Sequence, residues 1–152
     1  MEMRIPLSLF MLLAFFSHSL SGNPLEIGSE APDVVAKTHQ GDSINLRAAL
    51  AEGTTLVFFY PKAFTPGCTR QACSLRDNWS ELEDRGVRVF GVSSDSVEKQ
   101  AKFKERHELP YTLIADSDHS VAKAFGKSRW QRQAYIFVDG KLVWRDLKGA
   151  TA

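Results

Sequence analysis

From residue 55 to residue 60 the chain reads Thr-Leu-Val-Phe-Phe-Tyr, a continuous apolar run that predicts a strand buried on both faces. Residues 61–67, with a proline at each of positions 61 and 66, do not continue it. Over residues 68–85, Ala72, Leu75, Trp79 and Leu82 recur at spacings of three and four, the stripe of an amphipathic helix that Gly86 ends. Residues 87–92 form a second buried strand, and Asp95-Ser-Val-Glu98 has the form of a capping box for a helix running to about His107. A third strand follows at 111–115, then a short helix at 120–125 stopped by Gly126. Residues 133–138 and 141–145 flank Asp139-Gly140, a strong two-residue hairpin signal. Near the start, 33–37 and 43–46 make a short hairpin through Gln40-Gly41-Asp42. Strands separated by helices predict an α/β domain: a central mixed sheet, mostly parallel, flanked by helices, with antiparallel strands added by the last hairpin.

The first residues follow a different pattern. Met1-Glu-Met-Arg4 leads into residues 5–16, apolar apart from Pro6 and Ser8, and then into Ser17-His-Ser-Leu-Ser-Gly22. A positive residue, a short apolar core and small residues beyond it predict a secretory signal peptide over residues 1–21, leaving 22–152 as the domain. The apolar run is well short of the roughly 20 residues that a membrane span needs. The expected location is therefore export, to a periplasm, an extracellular space or an organelle lumen.

Composition narrows the classes further. Lys plus Arg is 19 and Asp plus Glu is 18, a balance that gives no electrostatic footprint for nucleic acid or an acidic membrane. Two cysteines exclude a four-cysteine zinc or iron–sulfur site, and His18, His39, His107 and His119 show no ligand spacing, so neither a metal nor a cofactor is expected. No Cys-x-x-Cys occurs, so a thioredoxin-type disulfide reductase lacks its motif.

The chemistry concentrates in residues 60–73, Tyr-Pro-Lys-Ala-Phe-Thr-Pro-Gly-Cys-Thr-Arg-Gln-Ala-Cys. With Thr65 as N-cap, Pro66 falls at N1, where it wastes no donor, and Cys68 at N3. The threonine hydroxyl is placed to accept from a first-turn amide. In that turn, unpaired N–H groups and the helix dipole favour an anion, so a thiolate there is available as a nucleophile. A structural disulfide between Cys68 and Cys73 is the opposing reading. Residues five apart on a helix are separated by about 500° of rotation, with Cα atoms roughly 8–9 Å apart. A disulfide needs about 7 Å or less, so the two cannot pair while both stay helical.

This segment resembles the peroxiredoxins, specifically the bacterioferritin-comigratory or Q-type branch. Pro61, Thr65 and Cys68 match the family motif Pro-x-x-x-Thr-x-x-Cys, and Cys73 matches the second cysteine of that branch. The likeness runs from about Gly28 to about Lys148. It implies a thioredoxin-like fold with an N-terminal hairpin and thiol-dependent reduction of hydroperoxides. By the same resemblance Cys68 is the peroxidatic cysteine, Thr65 binds the peroxide and Pro61 shields the site. Arg132 best matches the arginine that stabilises thiolate and peroxide, with Arg129 as the competing candidate. Cys73 is then the resolving cysteine, forming an intramolecular disulfide with Cys68. A thioredoxin-like or other dithiol reductant and a monomeric form are implied as well.

Two rivals stand beside this reading. One is a non-catalytic module with the same fold and a static Cys68–Cys73 disulfide. The other is a cysteine hydrolase pairing Cys68 with His107 or His119, because such a nucleophile needs a base. Two features also depart from the family pattern. The family usually closes with a helix after the final strand, where this sequence has Lys148-Gly-Ala-Thr-Ala152. An exported enzyme, moreover, works away from the cytosolic thioredoxin pool.

Overall fold

The computed structural model describes residues 23–127 and 131–149. Along them run β1 (Val35–Thr38), β2 (Ser43–Asn45), α1 (Leu46–Ala49), β3 (Thr54–Phe59), α2 (Pro66–Asp77), α3 (Trp79–Asp84), β4 (Val87–Ser93), α4 (Val97–Arg106), β5 (Thr112–Ala115), α5 (Ser120–Ala124), β6 (Gln133–Val138) and β7 (Lys141–Asp146). The strands form one sheet in the order β2-β1-β5-β4-β3-β6-β7. The signal peptide expected over residues 1–21, and Arg129, lie outside the described residues.

The apolar run at 55–60 sits in the middle of this sheet because both of its faces are covered. Val57 and Phe59 pack with Leu46, Phe125, Tyr135 and Phe137 on one side. Phe58 packs with Ala72, Phe103 and Leu113 on the other. Burying each such side chain contributes roughly 1.5–3 kcal/mol relative to exposure. β3 pairs parallel with β4 and antiparallel with β6, and the last pair of that register is Phe59 opposite Gln133. The start of β6 is thereby fixed at the end of β3, where the cysteine segment begins.

The sheet is mixed, but less parallel than expected. Among the described strands only the β3–β4 and β4–β5 pairings are parallel; the N-terminal hairpin docks on β5 antiparallel, with Lys37 opposite Ala115. The turn between β6 and β7 forms as its sequence predicts, Asp139 at φ 48° and Gly140 at φ 82°, both in the left-handed region that a two-residue hairpin needs.

Three local expectations are corrected. The helix expected over 68–85 is two helices, α2 and α3, which meet at Asn78. The Asn78 side chain donates to the Ser74 carbonyl at 2.8 Å, a bond that competes with the helical ladder. Leu46 leaves the strand and opens α1, whose first turn is held by the Asn45 side chain accepting from the Ala48 amide at 3.0 Å. The cap of α4 is Ser96, not Asp95; its hydroxyl accepts from the Lys99 amide at 3.2 Å.

Candidate active site

β3 delivers the chain to Pro61, and a short loop then turns it into α2. Three contacts shape that loop. The Ala63 amide donates to Asp95 Oδ2 at 2.7 Å across the sheet edge. Phe64 takes a left-handed backbone, φ 65°, and its ring packs on Phe103 with centroids 5.2 Å apart. Thr65 donates its hydroxyl to the Lys62 carbonyl at 2.9 Å. Thr65 does stand at the N-cap with extended backbone, yet its side chain makes no cap hydrogen bond. The expected bond to a first-turn amide is therefore corrected. The hydroxyl closes the loop behind it instead, and its lone pairs remain available.

Asp95 anchors this loop from the turn between β4 and α4. Its side chain is 7% exposed, and it also accepts from Ser93 Oγ at 2.8 Å and pairs with Lys99 at 2.9 Å. Burial pushes its carboxyl up, but the Ala63 amide, Lys99 and Ser93 outweigh that and hold it below the ordinary carboxylate value. Beneath the loop the Tyr60 hydroxyl donates to Gln100 Oε1, whose amide in turn donates to the Ile114 carbonyl at 2.9 Å. Burial pushes the Tyr60 phenol far up, so it stays a neutral donor.

Cys68 is buried in the first turn of α2, 1% exposed, among Phe58, Tyr60, Ala63 and Ala72. Arg132, immediately before β6, crosses to it: Nη1 lies 3.3 Å from Cys68 Sγ and donates to Gln71 Oε1 at 3.0 Å. The antiparallel β3–β6 pairing is what brings these residues together. The Nη2 end of the guanidinium lies over Gly67, where a Cβ would stand 2.5 Å from Nη2. Cys73 lies further along the same helix, half-buried, and both thiols are free.

Of the residues singled out from the sequence, then, Cys68, Thr65 and Arg132 converge at the start of α2. Pro61 heads the loop, and Cys73 is remote by helix geometry. Gln71, Gly67 and Asp95 were missed as parts of the site. Gln71 had a detectable signal, since three residues from Cys68 on a helix is the same face. A cleft of about 430 Å³ opens beside Pro61, lined by Phe59, Ser93, His119 and Lys123 among others; Cys68, Thr65 and Arg132 do not line it. His107 packs edge-on against Phe103 and tilted against Phe64, and His119 stands at the N-cap position of α5 in the cleft that Cys68 does not line; the polar side chain facing the Cys68 sulfur is Arg132, not a histidine.

A family model described as AhpC/TSA matches residues 27–145. The chain belongs to the AhpC/TSA family. Within it, the chain is 47% identical over 114 residues to the peroxiredoxin Bcp of Escherichia coli, covering 75% of this chain and 71% of that protein. It is 43% identical over 138 residues to the peroxiredoxin Bcp of Bacillus subtilis, covering 82% and 87% respectively. Among solved structures it is similar to peroxidoxin BcpB from Mycobacterium tuberculosis, with TM-score 0.76, 32% identity, and coverage of 82% of this chain and 86% of that one. The chain is thus a peroxiredoxin with a thioredoxin-like fold, a thiol-dependent peroxidase. The non-catalytic module is not favoured, because two free thiols on one continuous helix form no static staple.

Proposed function

We propose that the chain reduces hydrogen peroxide and organic hydroperoxides to water and alcohols at Cys68. The Cys68 thiolate attacks the terminal peroxide oxygen. A sulfur–oxygen bond forms, the O–O bond breaks, and the electron pair leaves on the distal oxygen, which takes up a proton to become water or alcohol. Arg132 faces both partners, stabilising the anionic sulfur before attack and the developing charge on the leaving oxygen during it. Thr65, its own proton committed to Lys62, offers lone pairs to the peroxide O–H. Pro61 walls the loop side.

The observation that carries this reading is the Arg132 guanidinium 3.3 Å from a buried thiol in the first turn of a helix. That arrangement favours an anion twice, through the fixed cation and through the helix dipole. Hydroperoxide consumption with a dithiol reductant tests it: Cys68→Ser is expected to abolish turnover, and full turnover in that variant overturns the assignment.

Cys73 is the proposed resolving thiol. Its sulfur attacks the Cys68 sulfenic acid, the S–S bond forms, the S–O bond breaks, and water leaves. A thioredoxin-like or other dithiol then returns the enzyme to the reduced state. A monomeric form belongs to the same proposal, since Cys68, Cys73, Thr65 and Arg132 complete the cycle within one chain. Export is proposed from the leader pattern of residues 1–21, with a native N-terminus near Gly22 as the expected result of sequencing and an intact Met1 as the result that overturns it.

A further inference from the structure

For Cys73 to reach Cys68, α2 must open, and the side-chain ties on α2 are unevenly placed. Tyr111, just ahead of β5, donates its hydroxyl to the Ala72 carbonyl at 2.7 Å. Arg76 donates through Nη1 to the His107 carbonyl at 2.8 Å. Ala72 and Arg76 bracket Cys73. The Cys73 half of the helix is therefore fastened at two points to the connection between α4 and β5. The Cys68 half is tied by Arg132 to Gln71.

The Tyr111 tie differs in kind from a surface bond. The residue is 3% exposed, with its ring edge-on to Phe58 at 5.8 Å and tilted against Trp79 at 6.1 Å. If the backbone at Ala72 unwinds, the carbonyl departs and the hydroxyl is left among those rings without an acceptor. A buried donor stripped of its partner costs more than an ordinary hydrogen bond contributes, and that cost falls on the open helix alone.

We infer that Tyr111, seconded by Arg76, is a brake on the resolving step: a positioning residue that holds the Cys73 half of α2 helical and prolongs the Cys68 sulfenic acid. The inference rests on the reading of Cys73 as the resolving thiol. Its consequence is chemical. While the helix stays closed, the sulfenic acid is exposed to a second hydroperoxide, which would transfer another oxygen to sulfur, giving the sulfinic acid and one more water or alcohol. The tie thus sets the peroxide level at which the enzyme inactivates itself.

Tyr111→Phe removes only the hydroxyl and keeps the ring packing, so the variant tests the tie without emptying the core. Single turnovers quenched in acid and read by mass separate sulfenic acid, disulfide and sulfinic acid. In Tyr111→Phe, disulfide formation is expected to speed up by about fivefold or more, the scale of a buried donor left without its acceptor in the open helix. The peroxide dose giving half sulfinic acid should rise by a similar factor, while sulfenic acid formation keeps its rate. Arg76→Met should move the same way by less, its guanidinium being partly solvated and also paired with Asp77. If the wild type forms no Cys68–Cys73 disulfide, the resolving role of Cys73 falls and the brake falls with it. A disulfide that forms in both proteins at the same rate, or more slowly in Tyr111→Phe, overturns the brake alone. Equal acceleration of both chemical steps also overturns it, because that marks general loosening.

Discussion

Gly67→Ala isolates the Arg132–Cys68 contact without touching either residue. A Cβ at position 67 would stand 2.5 Å from Arg132 Nη2, whereas carbon contacts are comfortable near 3.5 Å or more. The obstructing atom is the end of a flexible side chain, so the guanidinium retreats by about 1 Å rather than the helix moving. Nη1 begins 3.3 Å from Cys68 Sγ, and such a retreat carries it out of effective reach. Hydrogen bonds to charged groups contribute about 1.5–3 kcal/mol. If that stabilisation is expressed on the thiolate and transition state, its loss slows single-turnover oxidation by about 10- to 100-fold. Stability should not suffer, since Ala is favoured over Gly in a helix by up to about 1 kcal/mol. Rapid mixing with hydrogen peroxide gives the rate, and a thermal melt gives the stability. Combining Gly67→Ala with Arg132→Met closes the cycle: once the guanidinium is gone, the added methyl should cost nothing more. A single variant within about twofold of wild type, or full additivity in the double variant, would refute the claim that Gly67 acts through Arg132.

What the sequence revealed divides by how local the cause is. The central strand was readable because burial on both faces leaves an unbroken apolar run, and the turn at Asp139-Gly140 because its backbone angles select those residues. The start of α2 was readable from Thr65 and Pro66, which bear on their own turn. The role of the Thr65 hydroxyl was not, because the Lys62 carbonyl competes with the first-turn amides and wins only once the loop has closed. Asp95 fits a capping box equally well in sequence; in the fold its carboxylate meets the Ala63 amide from another element, and Ser96 takes the cap. The resemblance put Arg132 ahead of Arg129, which lies outside the described residues; the Arg132 contact with Cys68 itself depends on the strand register that sets Phe59 opposite Gln133, and no periodicity carries a register between strands so far apart. Gln71 was hidden for a related reason: an amide on a helix surface looks solvated until a guanidinium from β6 arrives to use it.

Hydrogen exchange compares the two redox states of α2: the amides of residues 69–75, beginning with Thr69, which donates to the Thr65 carbonyl at 2.9 Å, should be protected in the dithiol protein and exposed once the disulfide forms. Equal protection in both, with the disulfide verified by mass, would refute the opening, since helical Cα atoms five residues apart stay roughly 8–9 Å from each other. The last prediction concerns Asp95→Asn. The asparagine can still accept from the Ala63 amide, but it loses the Lys99 ion pair and turns an NH2 toward donors. A loss of about 2 kcal/mol near neutral pH is expected, the scale of a hydrogen bond to a charged group with allowance for the partly exposed lysine. The pH dependence follows from the sign of the shift. The Asp95 carboxyl is held below its ordinary 3.8 in the fold, so its contribution is complete above that value and disappears as pH falls through the lower, folded one. Urea midpoints of wild type and variant should therefore differ most at neutral pH and converge in acid below about pH 3.8. A gap that is constant across that range would mean the carboxylate's charge does not hold the Cys68 loop, and that the shape of the side chain alone does.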